Sequence, residues 1–400
     1  MVLRSTTAGA AALAAVVLPA APARAAHVCQ PAVAPGVVST ATPYEARLYD
    51  LPRLASLATG RGVRVAVVDS GVDARHPQLT GRVDTGRDLL HGDPTGRQDC
   101  VGHGTGVASI IAARPVDGVP FHGLAPQATV VPVRISEREQ IGGERVGVDG
   151  SPAAFARAIA WAADPAGGNA QVINLSLVLT DDDAAVRRAV ARAVAAGVVV
   201  VAAAGNVGPA GPTPYPAAYP GVIGVAAVTA GGVRAAFSQR GAHVDLAAAG
   251  DGVTVAAPGA GHRTGQGTSY AAPYVSATAA LILQRFPAAT PAQVQRRLIA
   301  TADPAPGGVR SDDYGYGLLN PYRALTETLG SQAPVSPGPA VLPADGPAAV
   351  ALRVRRDRAR DRALIVGAAG AGAVTVAGLL AVVLRRGRRR GWRPAGQDCA

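Results

Sequence analysis

Three short stretches carry side chains that together could attack an acyl bond. They are Val-Val-Asp69-Ser-Gly, Gly-His103-Gly-Thr and Gly-Thr-Ser269-Tyr-Ala-Ala-Pro, which supply a carboxylate, an imidazole and a hydroxyl in that order along the chain. A serine hydroxyl is a poor nucleophile at neutral pH: a base must take its proton, and a further group must orient and charge-balance that base. Each stretch alone has a plainer reading. An aspartate after an apolar strand is often a turn residue, a histidine opening a helix is often structural, and a serine entering a helix is a good N-cap. What raises them above that reading is that all three local patterns occur together, in one order.

The elements that must position these groups are legible as an alternation. Arg64 to Val68 is an apolar, β-branched run that ends in Asp69, the pattern of a buried parallel strand. Before it, Glu45 to Ala58 reads as one helical run. After it come a helix over Gly106 to Ala113, a strand over Thr129 to Ile135, a helix over Pro152 to Ala163 and a strand over Val172 to Leu177. Asp181 to Asp183 open the next helix, where acids complement the positive dipole end, and Gly197 closes it. Val198 to Ala203 and Val222 to Val228 are further strands, Thr268 to Phe286 a long core helix and Pro291 to Ala300 a shorter one. Such alternation implies an α/β fold with a doubly wound parallel sheet covered on both faces. Open sheets of this kind place their sites at the carboxyl ends of strands, where Asp69 stands.

The net charge of +11 suggests nucleic acid until it is located. Every one of the 38 cations is arginine, and twelve of them lie beyond residue 350 against three aspartates. Residues 26–350 hold 24 arginines and 24 acids, so the expected folded domain is neutral and nucleic-acid binding loses its support. Residues 1–25 read as a secretory signal: Arg4, an apolar stretch from Ala8 to Ala21, and Ala23-Arg-Ala25 as a small-x-small cleavage site. Residues 331–362 form a Pro-rich and then Arg-rich linker. Ala363 to Leu384 is uncharged over 22 residues, about 33 Å as a helix, enough to cross a bilayer. Arginines crowd its C-terminal end, so residues 385–400 are expected as a cytoplasmic basic tail and everything before the span outside. Cys29 and Cys100 would then share an oxidising compartment, which predicts a disulfide between them, while Cys399 would not.

Residues 61–330 resemble the subtilisin-like (subtilase) peptidases, whose three signature blocks match the stretches around Asp69, His103 and Ser269. The resemblance implies a three-layer subtilisin-like fold with a mainly parallel twisted sheet. It also implies Ser269 as nucleophile, His103 as general base and then acid, and Asp69 as the group that fixes the imidazolium. Ala204-Gly205-Asn206 falls where that family places its oxyanion asparagine, so Asn206 would donate its side-chain N–H to the developing oxyanion. Ser176, Leu177, Val178 and Gly205 are the expected substrate-binding residues. No cofactor is implied. Many subtilases have Asp after His-Pro as a calcium ligand, whereas Gln78 follows His76-Pro77 here, and no metal is assigned. His27, His91, His122, His243 and His262 show no metal-ligand spacing and are expected to be ordinary surface or loop residues.

The N-terminal segment 26–60 with its cysteine, the second cysteine before Gly-His-Gly-Thr, the linker, the membrane helix and the basic tail are together similar to the mycosins. Those are membrane-anchored subtilases of type VII secretion systems. So are the segment from Val294 and Tyr314-Gly-Tyr-Gly-Leu-Leu-Asn-Pro. The resemblance implies an extension that wraps the catalytic domain, a single-pass protein of the cell membrane facing outward, limited cleavage of secreted polypeptides, and a part in stabilising the secretion membrane complex. Mycosins commonly carry a second disulfide, for which no cysteines remain. A general degradative surface protease and a catalytically silent scaffold stay open as alternatives. The family often has Ser-Leu-Gly-Gly where this chain has Ser176-Leu177-Val178-Leu179, and side chains in place of glycines narrow the first specificity pocket. The expected outcome in a peptide library is fastest cleavage after small residues; fastest cleavage after large aromatic residues would contradict it.

Overall fold

Runs of small and β-branched apolar residues supply the strands of one parallel sheet. In the computed structural model the described residues are Cys29, 34–329 apart from 93, 142, 143, 147, 307 and 309, and 384–386 with 388. The strands are β1 (Arg64–Asp69), β2 (Arg87–Asp88), β3 (Thr129–Arg134), β6 (Val172–Leu175), β7 (Val199–Ala203), β8 (Val222–Val228) and β9 (Leu246–Ala249), in spatial order β2-β3-β1-β6-β7-β8-β9. Every neighbouring pair in this sheet is parallel. From β1 the chain runs to the edge strand β2, comes back to β3 beside β1, and then crosses to β6 on the other side, so the switch point lies at the end of β1. The sheet is accompanied by two antiparallel hairpins, β4 (Glu139–Ile141) with β5 (Glu144–Val146), and β10 (Asp251–Ala256) with β11 (His262–Gln266).

Because side chains alternate along a strand, each strand feeds two cores. Val65 and Val67 of β1 pack with Val107, Ile110 and Ile111 of α3 (His103–Ala112) and with Val275, Leu281 and Ile282 of α6 (Thr268–Arg285). Ala66 and Val68 face the opposite side, against Phe155, Ala158 and Ile159 of α4 (Pro152–Ala163) and Val186 and Val190 of α5 (Ala184–Ala195). Each such buried Val, Leu, Ile or Phe side chain contributes about 1.5–3 kcal/mol. The helix starts are built from the expected chemistry: Ser151 caps α4 ahead of Pro152, and Asp183 accepts from the backbone N–H groups of Ala185 and Val186 at the head of α5. The remaining helices α7 (Pro291–Ala300) and α8 (Pro321–Thr326) likewise start at a capping residue followed by proline.

The expected single helix over Glu45 to Ala58 is two: α1 (Tyr44–Leu48) and α2 (Leu51–Ala55), with Asp50 left-handed between them at φ 49°. Pro52 is the reason, since it has no N–H to give Leu48 and its ring clashes with that carbonyl. The expected strand Val172 to Leu177 ends at Leu175, and the helix over Gly106 to Ala113 begins earlier, at His103. The expected signal peptide 1–25, the linker 331–362 and the membrane helix, apart from Leu384, lie outside the described residues. Among the described residues no helix is long and apolar enough to cross a membrane. The chain divides into units 1–333 and 334–400, and the site described below lies wholly in the first.

The segment before β1 is held against the domain by specific bonds. Val37 exchanges backbone hydrogen bonds with His262 at the start of β11. Glu45 is buried, and its Oε1 accepts from the Thr254 N–H on β10 at 2.8 Å. Tyr44 donates to the Asp251 carbonyl, and the Tyr49 hydroxyl accepts from the Ala249 N–H. Burial drives the Glu45 carboxyl above its ordinary pKa. Cys29 and Cys100 form a disulfide across a sequence separation of 71. Closing a loop of that length stabilises by about 4 kcal/mol in the chain-entropy account. Replacing both cysteines with serine should lower the denaturant midpoint accordingly; equal midpoints for the two proteins would mean that the bridge contributes nothing.

Candidate functional site

Asp69 ends β1 at the switch point and is 1% exposed. Its Oδ1 accepts from the Ser70 N–H at 2.7 Å and lies 2.7 Å from His103 Nδ1. The imidazole can come this close because the next residue is Gly104: a Cβ there would stand 3.1 Å from the Asp69 Cβ and 2.1 Å from the Gly71 carbonyl. His103 is the first residue of α3, and the helix start is held by a residue the sequence reading passed over. Buried Asp99 accepts at Oδ1 from the N–H of Gly102 and the hydroxyl of Ser70, and at Oδ2 from both N–H and hydroxyl of Thr105. These bonds occupy N–H groups that a helix start leaves without partners. Ser70 closes the ring by accepting from the Gly104 N–H. An aspartate just upstream of Gly-His-Gly-Thr was the available signal, but only the fold shows that it is buried and what it holds.

His103 Nε2 lies 2.9 Å from Ser269 Oγ. Burial pushes the imidazole pKa down, but the charge and hydrogen bond of Asp69 more than reverse this, leaving it raised above the ordinary 6.5. The Tyr270 ring packs beside the imidazole, with centroids 5.0 Å apart.

Ser269 is the second residue of α6, and its position follows from a proline one turn later. Pro273 has no N–H for the Ser269 carbonyl, so that oxygen needs another donor. Ser176 provides it at 2.8 Å, Asn174 Nδ2 donates to Ser176 Oγ, and the Ser276 hydroxyl donates to Asn174 Oδ1. A continuous buried chain therefore pins the first turn of α6 to the end of β6.

Asn206 follows β7 through Gly205. Its Oδ1 accepts from both the N–H and the hydroxyl of Thr268, each at 2.8 Å. That fixes the amide orientation, because only the Oδ1 end can accept. Nδ2 is then turned toward the space beside Ser269: a Cβ on Gly267 would lie 3.1 Å from Asn206 Nδ2 and 2.9 Å from Ser269 Oγ. Gly267, at φ 147°, keeps that space open. Gly205, at φ 96°, gives its N–H to Thr268 Oγ1 at 3.0 Å and lies with its α-carbon against Gln239. Leu177 and Val178 are half-buried, and Leu179 bridges Tyr215 through paired backbone bonds.

One expectation about polar residues needs correction. His262 is not an ordinary surface or loop histidine; it is buried, as is His76. His262 Nδ1 accepts from the Ser39 N–H, its Nε2 stands 2.7 Å from Gln78 Oε1, and Gln78 Nε2 donates to the carbonyls of Phe121 and Arg114. Burial, helped by the neighbouring His76, pushes the His262 pKa down to about 4, so the ring is neutral and can play both parts. Gln78 thus ties the N-terminal segment to the domain through hydrogen bonds. Among the described residues no three His, Cys, Asp or Glu side chains are grouped to hold a metal ion.

With this geometry in hand, comparison with known proteins is direct. Residues 60–317 match the subtilase family, Peptidase_S8. The chain is 38% identical to Subtilisin E of Bacillus subtilis over 282 residues, covering 70% of each chain. It is 36% identical to Mycosin-4 of Mycobacterium tuberculosis over 384 residues, covering 86% of this chain and 81% of that one. Among solved structures it is similar to the MycP3 protease from the type VII (ESX-3) secretion system. There the TM-score is 0.62 at 32% identity, over 74% of this chain and 90% of that one. The chain belongs to the subtilase family and is a subtilisin-type serine protease.

Proposed function

We propose that the chain is a mycosin-like serine endopeptidase that works through an acyl-enzyme on Ser269. The observation that carries this reading is the unbroken chain of contacts from Asp69 to His103 to Ser269, at 2.7 and 2.9 Å. His103 Nε2 takes the Ser269 proton as Oγ attacks the substrate carbonyl, and Asp69 holds the tautomer and balances the imidazolium. The negative charge that forms on the carbonyl oxygen is met by Asn206 Nδ2 and the Ser269 N–H. His103 then returns its proton to the leaving amine. Water repeats the sequence in the second half: it loses a proton to His103, attacks the acyl carbon and releases Ser269. Ser176, Leu177, Val178 and Gly205 would line the path of the substrate chain.

The cellular role we propose is limited cleavage of polypeptides exported by a type VII system, together with stabilisation of its membrane complex. The protein would be anchored by residues 363–384, with the peptidase outside. Support comes from the likeness to Mycosin-4, which runs over more of this chain than the likeness to Subtilisin E. Support also comes from the disulfide, which fits an oxidising compartment. The Ser269→Ala protein tests both halves: it should lose labelling by a fluorophosphonate and all substrate cleavage, while secretion persists in cells that carry it and fails when the whole chain is deleted. Loss of secretion with Ser269→Ala alone would remove the structural half of the role; retained cleavage would remove the catalytic half. Asn206→Ala should lower kcat by about 10²–10³ with little change in KM, as for loss of one oxyanion donor. An unchanged kcat would show that Nδ2 does not meet the oxyanion.

A further inference from the structure

One cation stands beside Gly102 and Tyr270, the chain neighbours of His103 and Ser269. Arg263 lies on β11, and its Nη2 is 3.4 Å from the Tyr270 hydroxyl. The same nitrogen would be 3.4 Å from a Cβ placed on Gly102, the residue immediately before His103. Tyr270 is in turn packed against the imidazole and cannot move aside. Its ring fills a slot made by two glycines on opposite sides: a Cβ on Gly106 of α3 or on Gly265 of β11 would come within 3.1 Å of it. The phenol is therefore a fixed neighbour of the guanidinium, which lies against Gly102, one residue before His103.

We propose that Arg263 is a positioning residue for the reaction, a fixed cation that acts through His103 by disfavouring its imidazolium. The groups that face the imidazole are Asp69 on β1, Asp99 before α3, Ser269 and Tyr270 on α6, and Arg263 on β11. Burial weighs most against the charged ring, Asp69 favours it, Arg263 opposes it and Asp99 favours it. Asp69 alone would hold His103 protonated, and so useless as a base, to higher pH. Arg263 lowers that threshold. The same field opposes the imidazolium that forms as Ser269 gives up its proton, so the device trades some rate at high pH for a neutral base at lower pH.

This inference rests on His103 being the base for Ser269, and one experiment separates the two. The rate of Ser269 labelling by a fluorophosphonate is followed against pH for the full-length chain and for three variants. Wild-type labelling should fall along one acid limb whose midpoint lies above 6.5, in line with the raised imidazole. Arg263→Gln should move that limb up by roughly half a pH unit to one unit, as removal of a nearby cation requires. Arg263→Lys, which keeps the charge, should leave it at the wild-type position. Arg263→Met keeps the half-buried stem without the charge and takes the place of the glutamine variant if that protein fails to fold. Coincident limbs for wild type and the neutral variants would overturn the role of Arg263 while leaving His103 as the base. A wild-type protein that labels with no acid limb, or not at all, would overturn the role of His103 itself.

Discussion

A carboxylate at the buried end of the central strand constrains everything around it. Asp69 is almost wholly removed from water, and an ion so placed is tolerated only with a partner and hydrogen bonds; stripping one partner from a buried pair costs about 3–5 kcal/mol. Its partners are the Ser70 N–H and the imidazole of His103. The imidazole can serve only if α3 starts within touching distance of β1, and that start depends in turn on Asp99. Two buried aspartates, one on the strand and one before the helix, are thus joined through Ser70 and set the position of His103.

Ser269 is held by an independent device on the other side of β1. A proline in the second turn of α6 frees a backbone carbonyl in the first, and the freed carbonyl recruits Ser176 and, behind it, Asn174 and Ser276. Low dielectric strengthens such a chain, and the same dielectric makes any break in it costly. Thr268 performs the matching service for Asn206, accepting from Gly205 while donating to the amide oxygen. Asn206 and Ser269 are consequently tied to adjacent residues of one helix start: Ser269 is part of it, and Asn206 is hydrogen-bonded to Thr268 beside it.

The N-terminal segment is joined to this machinery at its back. It bonds to β10 and β11, the hairpin that carries Arg263 and leads directly into Gly267-Thr268-Ser269. Neutral His262 and the amide of Gln78 complete the attachment, and the disulfide closes on Cys100 three residues before His103. A segment bonded at so many points, including a buried glutamate and a buried tyrosine, is an integral layer of the domain.

By itself the sequence determined the alternation of strands and helices, the three motifs and their order, because each depends on short-range physics: β-branched runs, capping residues, and glycines beside groups that must be approached closely. The long strands and helices of the sheet were legible for this reason, with boundaries shifted by a few residues. What the pattern did not carry was whatever depends on long-range contact. The split between α1 and α2 turned on Pro52. The β10–β11 hairpin was missed because His262-Arg-Thr-Gly-Gln is too polar to read as a strand. His262 was misread as a surface or loop group because burial is a property of the partners a side chain finds. The roles of Asp99, Thr268 and Arg263 were decided only in three dimensions, since each acts on a residue of the site by a hydrogen bond or a field. Such interactions depend on distance in space, which a one-dimensional string does not record.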